Sequence, residues 1–341
     1  MYQIKAKILN IKELSIIFGS IAYVENGIFF VKNARFDINP MLYSCDITND
    51  NIWIKDHNWE NYLLKISDNR IEKLDFNIGV NGIISNVIII FKDNILSCFS
   101  TIYQKIIVNF PKIDKINNYI SNEENIFFQV DTITLKSLSL LTGNYEWELD
   151  LGGYQYLRHG REEEGKIDKI IGLWAHQLLV AMSDEELVSV DIHTGKVLWK
   201  TSNFNNTYLP DWRNRSMFRM AYWLIETGKL YQLDGNVYYS IDLETQQFDL
   251  LWHNANDENE LTIVHKTYTE DYIYFTGAYH YQLSPNLVGV FNRKTLIIDW
   301  IHEVENLTGS LNQPPQVADD KLYVLDTGGT LHIFEREAPN N

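Results

Sequence analysis

Two stretches of this 341-residue chain gather the side chains best suited to work at a surface. Tyr154, Tyr156, Arg158, His159 and Arg161 fall within one short run. Tyr208, Trp212, Arg213, Arg215, Phe218, Arg219 and Tyr222 fall within a second, Asn203 to Trp223. Tyrosine, tryptophan and arginine each join a broad apolar body to a polar tip, the combination that anchors protein interfaces. The chemistry they offer is recognition, through stacking, cation–π contact and forked hydrogen bonds to carboxylates. Two readings stand side by side. In one, Tyr154, Tyr156, Arg158, Arg161, Tyr208, Trp212, Arg213, Arg215, Phe218 and Arg219 form a partner-binding patch. In the other, the aromatics fold back as plugs over the sheets and the arginines neutralise neighbouring carboxylates.

Catalytic groupings are looked for and not found. The sequence has no Gly-x-Ser-x-Gly elbow, phosphate loop, dinucleotide fingerprint or His-Glu-x-x-His. Its nine histidines are scattered without ligand spacing, so a single one such as His280 or His332 reads as an ordinary hydrogen-bonded or surface residue. Asp319-Asp320 lacks the calcium-loop pattern and reads as a turn. Cys45 and Cys98 match neither a metal spacing nor a disulfide framework and read as small buried hydrophobes. No catalytic, cofactor-binding or metal-binding residue is assigned, and no cofactor is expected.

Charge narrows the partners. Against 29 basic residues stand 45 acidic ones, a formal net charge of −16, so the average surface repels phosphate backbones. Nucleic acid is excluded on that ground, although arginine and aromatic residues together can stack single strands. A basic protein is the natural match. Glu162-Glu163-Glu164 reads most simply as a solvated run, with an electrostatic lure for such a partner as the alternative. No run of 18 apolar residues exists, which argues against a membrane span. The apolar stretch Leu14 to Val24 follows Lys5, Lys7 and Lys12, but its β-branched residues and missing cleavage pattern favour a strand over a signal core. The expectation is a cytoplasmic protein, monomeric when unbound, with an exported form as the alternative. Asn205, Asn214 and Asn306 begin formal glycosylation sequons, read as chance in an asparagine-rich chain.

The elements that must position these residues are short strands in a repeat. Leu187 to Trp199 reads as a β-hairpin: two apolar runs flank a Thr194-Gly195 corner, Asp191 can accept bonds from turn amides, and Gly195 can take the positive φ that a side chain resists. Echoes lie at Leu138 to Trp147 and Val290 to Trp300, each with threonine and tryptophan five apart. A looser copy runs from Ser240 to Trp252. Trp147, Trp199, Trp252 and Trp300 step by 52, 53 and 48 residues, which fits one four-stranded sheet per period, as in a propeller blade. Aromatic abundance (20 Tyr, 16 Phe, 9 Trp) and only seven prolines suit many half-buried sheets.

Residues 189 to 199 resemble the tryptophan-docking repeat of quinoprotein-type, or PQQ-like, β-propellers, Ala-x-Asp-x-x-Thr-Gly-x-x-x-Trp. Asp191, Thr194, Gly195 and Trp199 match, and Ser189 stands in the alanine place. The other copies are degenerate, with Asn292 and Ser139 for the aspartate and Leu296 for the glycine. Clear motifs cover roughly residues 135 to 335. The resemblance implies a propeller, and in the family's dehydrogenases a quinone, an adjacent-cysteine disulfide and a calcium site. This chain has no Cys-Cys pair and is short for their eight-bladed domain, so it looks more like the non-catalytic members that serve as protein-binding scaffolds.

The expected fold is all-β, a single seven-bladed propeller of four-stranded antiparallel blades over 1–341. Residues 1–40 supply N-terminal strands completing the last blade, 41–301 hold six blades, and 302–341 hold the last. An open ring would expose two sheet edges, which is why an N-terminal strand is expected to close it. Trp53 falls five after Thr48, so a register in which it is a docking ring also stays open. The first strand of the second blade is placed near Gly82 to Ile84. In such meanders alternate turns share a face, so the Thr-Gly corners lie on one side and the long connections, with both aromatic–arginine stretches, on the other. Function is then expected to be partner binding on the long-loop face, in its sharper form as an immunity-type protein neutralising a basic toxin. The alternative is an enzyme or small-ligand receptor with a site at the mouth of the central channel.

Overall fold

A computed structural model describes residues 2–8, 11–17, 20–26, 28–31, 34–40, 46–48, 51–58, 60–74, 77–78, 87–92, 95–100, 105–109, 118–158, 161–184, 186–201, 224–235, 237–253, 261–279, 284–318 and 320–336. All helix- or strand-like order among them is β apart from a single 3-10 position at Thr201. The strands form antiparallel four-stranded sheets in which sequence neighbours pair, a meander repeated along the chain.

One blade shows how the sequence builds the rest. Ile167–Trp174, Gln177–Met182, Leu187–Asp191 and Val197–Lys200 pair in that order. The two central strands are buried on both faces, as their apolar runs require, while the outer strand buries Trp199 and exposes Val197 and Leu198. Between the third and fourth strands Asp191 Oδ1 accepts the amide of Thr194 at 2.7 Å, the amide of His193 at 3.1 Å and the Thr194 hydroxyl at 2.8 Å. Burial raises the Asp191 carboxyl, but these bonds outweigh it and hold the group below its ordinary value. Gly195 closes the turn with φ +69°.

The degenerate copies keep this geometry with different atoms. Ser139 Oγ accepts the amides of Leu141 and Thr142. Asp242 Oδ1 accepts those of Glu244 and Thr245, and Asn292 Oδ1 those of Lys294 and Thr295. The glycine place carries positive φ throughout, at Gly143 (73°), Gln246 (61°) and Leu296 (58°). An oxygen acceptor four residues before a left-handed position is therefore the shared physics of the corner, not particular residue types.

Each tryptophan occupies the same place. Trp147, Trp199, Trp252 and Trp300 lie on fourth strands opposite Ser137, Ser189, Tyr238 and Val290, and in every case the next residue outward is skipped by a bulge in the ladder. Every ring then docks on the following sheet. Trp147 Nε1 donates to Ile192 O at 2.8 Å. Trp199 packs with Leu230, Val237 and Tyr239 of the following sheet, while its Nε1 donates at 3.1 Å to Gln177 Oε1 of its own sheet, whose Nε2 reaches Leu243 O at 3.1 Å. Trp252 meets Phe291 edge-on at 5.1 Å and Trp300 meets Phe334 at 5.6 Å. Burying one such ring contributes on the order of 2–3 kcal/mol, so consecutive sheets are joined by apolar packing without shared strands.

Eight four-stranded sheets are present among the described residues, which corrects the expected seven and with it the expectation that the chain is short for an eight-bladed domain. The additional one is Ile11–Ile17, Ser20–Glu25, Ile28–Val31 and Ala34–Phe36, within residues expected only to complete the last blade. It lacks a Thr-Gly corner and a tryptophan. Phe36 fills that role, stacked on Phe29 at 6.1 Å and buried against Ile52, Ile54 and Leu64 of the next sheet. The last sheet is Gln316–Ala318, Lys321–Leu325 and Leu331–Arg336, with Tyr2–Ile8 paired outside the latter. It packs through Ala318, Tyr323, Leu325 and Leu331 against Tyr23 of the N-terminal sheet, bringing the two ends of the series together.

Two further expectations change. Trp53 is on a second strand, Asn51–Lys55, opposite Leu63, and edge-on to Phe99 at 5.6 Å, so it is not the outer-strand docking ring. The strand preceding Val87–Lys92 is Asn77–Ile78, ahead of the expected Gly82 to Ile84, which lies outside the described residues. Cys98 lies on Ile95–Ser100, and Cys45 is outside the described residues.

Candidate functional site: the long-loop face

Because the strands run in meander order, the turns between second and third strands share a face with the connections between blades. Three contacts tie such connections to such turns. Gly235, in a second-to-third turn, bridges to Ile263 at the start of the next blade. The connection Val304–Pro315 is held by Thr308, whose amide and hydroxyl both donate to Asp326 of the following turn. The connection 151–166 is held at Ser183: the Ser183 amide donates to Lys166 O at 2.8 Å, and Ser183 Oγ accepts the Lys166 amide at 3.0 Å.

That connection contains a hairpin of its own, Gln155–Arg158 paired with Arg161–Glu164, the one two-stranded sheet among the described residues. Its base is fixed by the two tyrosines singled out from the sequence. The Tyr154 ring lies over Gly165, where any Cβ would come within 2.2 Å of the ring, and packs against the neighbouring core with Lys200 Nζ 5.7 Å from its centre. Burial, and after it the Asp184 carboxylate, pushes the Tyr154 phenol far above its ordinary value. The Tyr156 hydroxyl stands 3.0 Å from Ser183 O and 3.1 Å from Glu163 Oε2, both acceptors, and shares its single proton between them. These two aromatics therefore fold back onto the scaffold, as one of the two sequence readings had it.

The arginines are placed differently. Arg158 and Arg161 are partners in the register of the hairpin. Arg161 is exposed and has no ion-pair partner among the described residues. Glu162 and Glu164 are exposed on the same strand. Tyr208, Trp212, Arg213, Arg215, Phe218 and Arg219 lie outside the described residues. Replacing Tyr156 with phenylalanine removes about 1 kcal/mol of local anchoring. Trypsin should then cut after Arg158 or Arg161 several-fold faster, with the global urea midpoint nearly unmoved; a matching loss of global stability would show the hairpin to be part of the main folding unit.

One buried polar cluster on this face was not legible as such. Asp326 and His332 are fully enclosed, with His332 Nε2 and Asp326 Oδ2 3.2 Å apart, and Thr330 donates its amide to Asp326 Oδ1 at 2.8 Å. Burial raises the Asp326 carboxyl, but the Thr330 amide, His332 and Thr308 together outweigh it and hold the group below the carboxylate range. Gly309 and Gly328 permit the approach, since a Cβ on either would meet a threonine hydroxyl at 2.1 Å. The sequence shows only a chance sequon at Asn306 and a Gly328-Gly329 turn. His280 is outside the described residues.

On the inner strand Thr262–Tyr268, burial and then the nearby Lys266 charge hold His265 below its ordinary value. Its unfolded form therefore takes up a proton first, so the stability it contributes is complete above about pH 6.5 and declines as pH falls below that. The urea midpoint should drop between pH 7.5 and 5.5, and His265→Gln should flatten that slope; an unchanged slope would assign it to another group. No three His, Cys, Asp or Glu side chains converge as a metal-binding group among the described residues. No described helix is long and apolar enough to cross a membrane.

Four-stranded meanders packed face to face through outer-strand aromatics define a β-propeller. No family model and no curated protein matches the sequence. Solved structures share the fold at low identity. BamB from Moraxella catarrhalis is 12% identical with TM-score 0.57, over 98% of this chain and 100% of that one. The C-terminal WD40 domain of Sif2 is 11% identical with TM-score 0.60 over 99% of each chain. The computationally designed Ika8 protein is 10% identical with TM-score 0.63 over 96% of each. Full coverage at such identity reflects the shared packing solution.

Proposed function

We propose that this propeller is a non-catalytic protein-binding scaffold of the PQQ-like type, engaging a basic protein on its long-loop face. The observation that carries the reading is the hairpin of Gln155–Arg158 with Arg161–Glu164, an element outside the blades that is fixed on that face by Tyr154 and Tyr156 while Arg161, Glu162 and Glu164 stay exposed. Support comes from the net charge of −16, which favours a cationic partner and accelerates its encounter. The likeness to BamB and to a WD40 domain is consistent with a propeller working through its surface. In this reading the chain acts in the cytoplasm, is monomeric when unbound, and suits an immunity-type role against a basic toxin.

Affinity purification of the full chain at low salt should enrich a basic protein that is released as salt rises toward about 0.5 M. Trp212→Ala with Arg215→Ala should weaken that capture at least about tenfold while leaving thermal unfolding unchanged. Enrichment of an acidic protein, or equal loss of folding and capture, would overturn the reading.

A further inference from the structure

We propose that the corner from Ser139 to Tyr145 is a second docking surface, an apolar knob in an acidic collar that seats a cationic amphipathic segment of a protein partner. It belongs to the sheet Tyr119–Ser121, Asn125–Gln129, Thr134–Ser139 and Tyr145–Asp150 and lies on the face opposite the long connections, so it is independent of the reading given for that face. The knob is Leu141. It is 91% exposed, against 54% for Ile297, the next most exposed large apolar residue among those described. A lone exposed leucine is ordinary. Its place in the repeat makes this one unusual, because the same position before the corner threonine holds His193, Glu244 and Lys294 in the other three corners, all exposed. The corner also holds it in place. Ser139 Oγ accepts the Leu141 amide at 3.3 Å, the Gly143 amide donates to Ser139 O at 2.9 Å, and the Leu140 amide donates to Glu124 O at 2.7 Å. An anchor fixed before contact loses little freedom on binding. Tyr145, 39% exposed, closes the corner and adds aromatic area.

The collar identifies the partner's chemistry. The bond from Leu140 to Glu124 brings the turn between the first two strands alongside the corner, and Asn122 Oδ1 fixes that turn by accepting the amides of Glu124 and Asn125. Glu123 and Glu124 therefore flank the knob, and Glu146 follows Tyr145. All three are exposed, and none has an ion-pair partner among the described residues. Lys136, on the neighbouring strand, is already engaged, with its Nζ 2.8 Å from Glu148 and 5.0 Å from the centre of the Tyr145 ring. Uncompensated acids around an apolar anchor fit a surface that sets lysine or arginine around an apolar face. A second copy of this chain, at a net charge of −16, or an anionic lipid surface would bring like charge instead.

The test separates the apolar anchor from bulk charge. The full chain is titrated at about 20 mM salt with the peptide acetyl-Leu-Lys-Lys-Leu-Leu-Lys-Leu-Leu-Lys-Lys-Leu-Leu-Lys-Leu-amide and with its counterpart carrying alanine at every leucine. The two have equal charge. The proposal expects the leucine peptide to bind on the order of tenfold more tightly, the scale of one buried leucine side chain. Leu141→Ser should erase most of that advantage with the urea midpoint unmoved, whereas Leu198→Ser, at another exposed apolar position on the next sheet, should keep it. Glu123→Gln with Glu124→Gln should weaken both peptides several-fold at low salt and hardly at about 0.5 M. An advantage that survives Leu141→Ser, or falls as far in Leu198→Ser, overturns the proposal. So does binding indifferent to the two glutamates. A dimer that Leu141→Ser dissociates, or Leu141-dependent binding to phosphatidylglycerol vesicles, would assign the knob to a second copy or to a membrane and overturns it too. The long-loop reading survives each of these outcomes, since its own test uses Trp212 and Arg215.

Discussion

Gly195→Val should destabilise the protein by about 2–5 kcal/mol. Two independent costs meet at this position. The backbone is left-handed, at φ +69°, where a β-branched residue costs about 1–2 kcal/mol. A Cβ would also come within 2.7 Å of the Trp147 indole from the preceding sheet, and overpacking of that kind costs about 1–3 kcal/mol. Trp147 has little room to retreat, because its Nε1 is bonded to Ile192 O. Gln246→Gly is the matched control. That position is already left-handed without glycine, so relief of strain and the added freedom of the unfolded chain offset each other to within about 0.5 kcal/mol. Urea midpoints measure both, and a Gly195→Val loss no larger than the control's change would refute the docking geometry.

Asp326→Ala should cost about 3–5 kcal/mol, because one carboxylate satisfies the Thr308 amide and hydroxyl, the Thr330 amide and His332 in an enclosed site. Removing it strands those donors and frees the connection Val304–Pro315 from the turn that holds it. The pH dependence follows from the depressed carboxyl. The unfolded chain protonates Asp326 first, so its contribution is whole above about pH 4 and is lost as pH falls from there through the folded value. Asp326→Asn should be less stable at pH 7 and should lose less further stability than the unaltered chain between pH 5 and 2.5. Parallel acid curves for the two proteins would contradict this account.

The blades with Thr-Gly corners were legible because their signals are local. Asp191, Thr194 and Gly195 complete their turn among themselves, and Trp199 follows at a fixed distance set by the hairpin. The N-terminal sheet was missed because Phe36 does the work of tryptophan and no Thr-Gly pair occurs within residues 11–36. Nothing within a few residues of Phe36 marks it as a docking ring; its burial depends on Ile52, Ile54 and Leu64 in the next sheet. The candidate site divides along the same line. Tyr154 and Tyr156 stood out by type, but their fate as anchors is decided by Gly165 and by Ser183, far along the chain or across a turn.

Composition and spacing alone determined that this chain would be a repeat of four-stranded sheets with a strongly acidic surface, since turn chemistry, strand alternation and charge are properties of neighbouring residues. The number of sheets, the enclosure of Asp326 beneath the connection that carries Thr308, and the anchoring of Tyr156 on Ser183 were decided only by tertiary structure. Each depends on which distant segment arrives alongside, and packing of distant surfaces is not encoded in any single stretch of sequence.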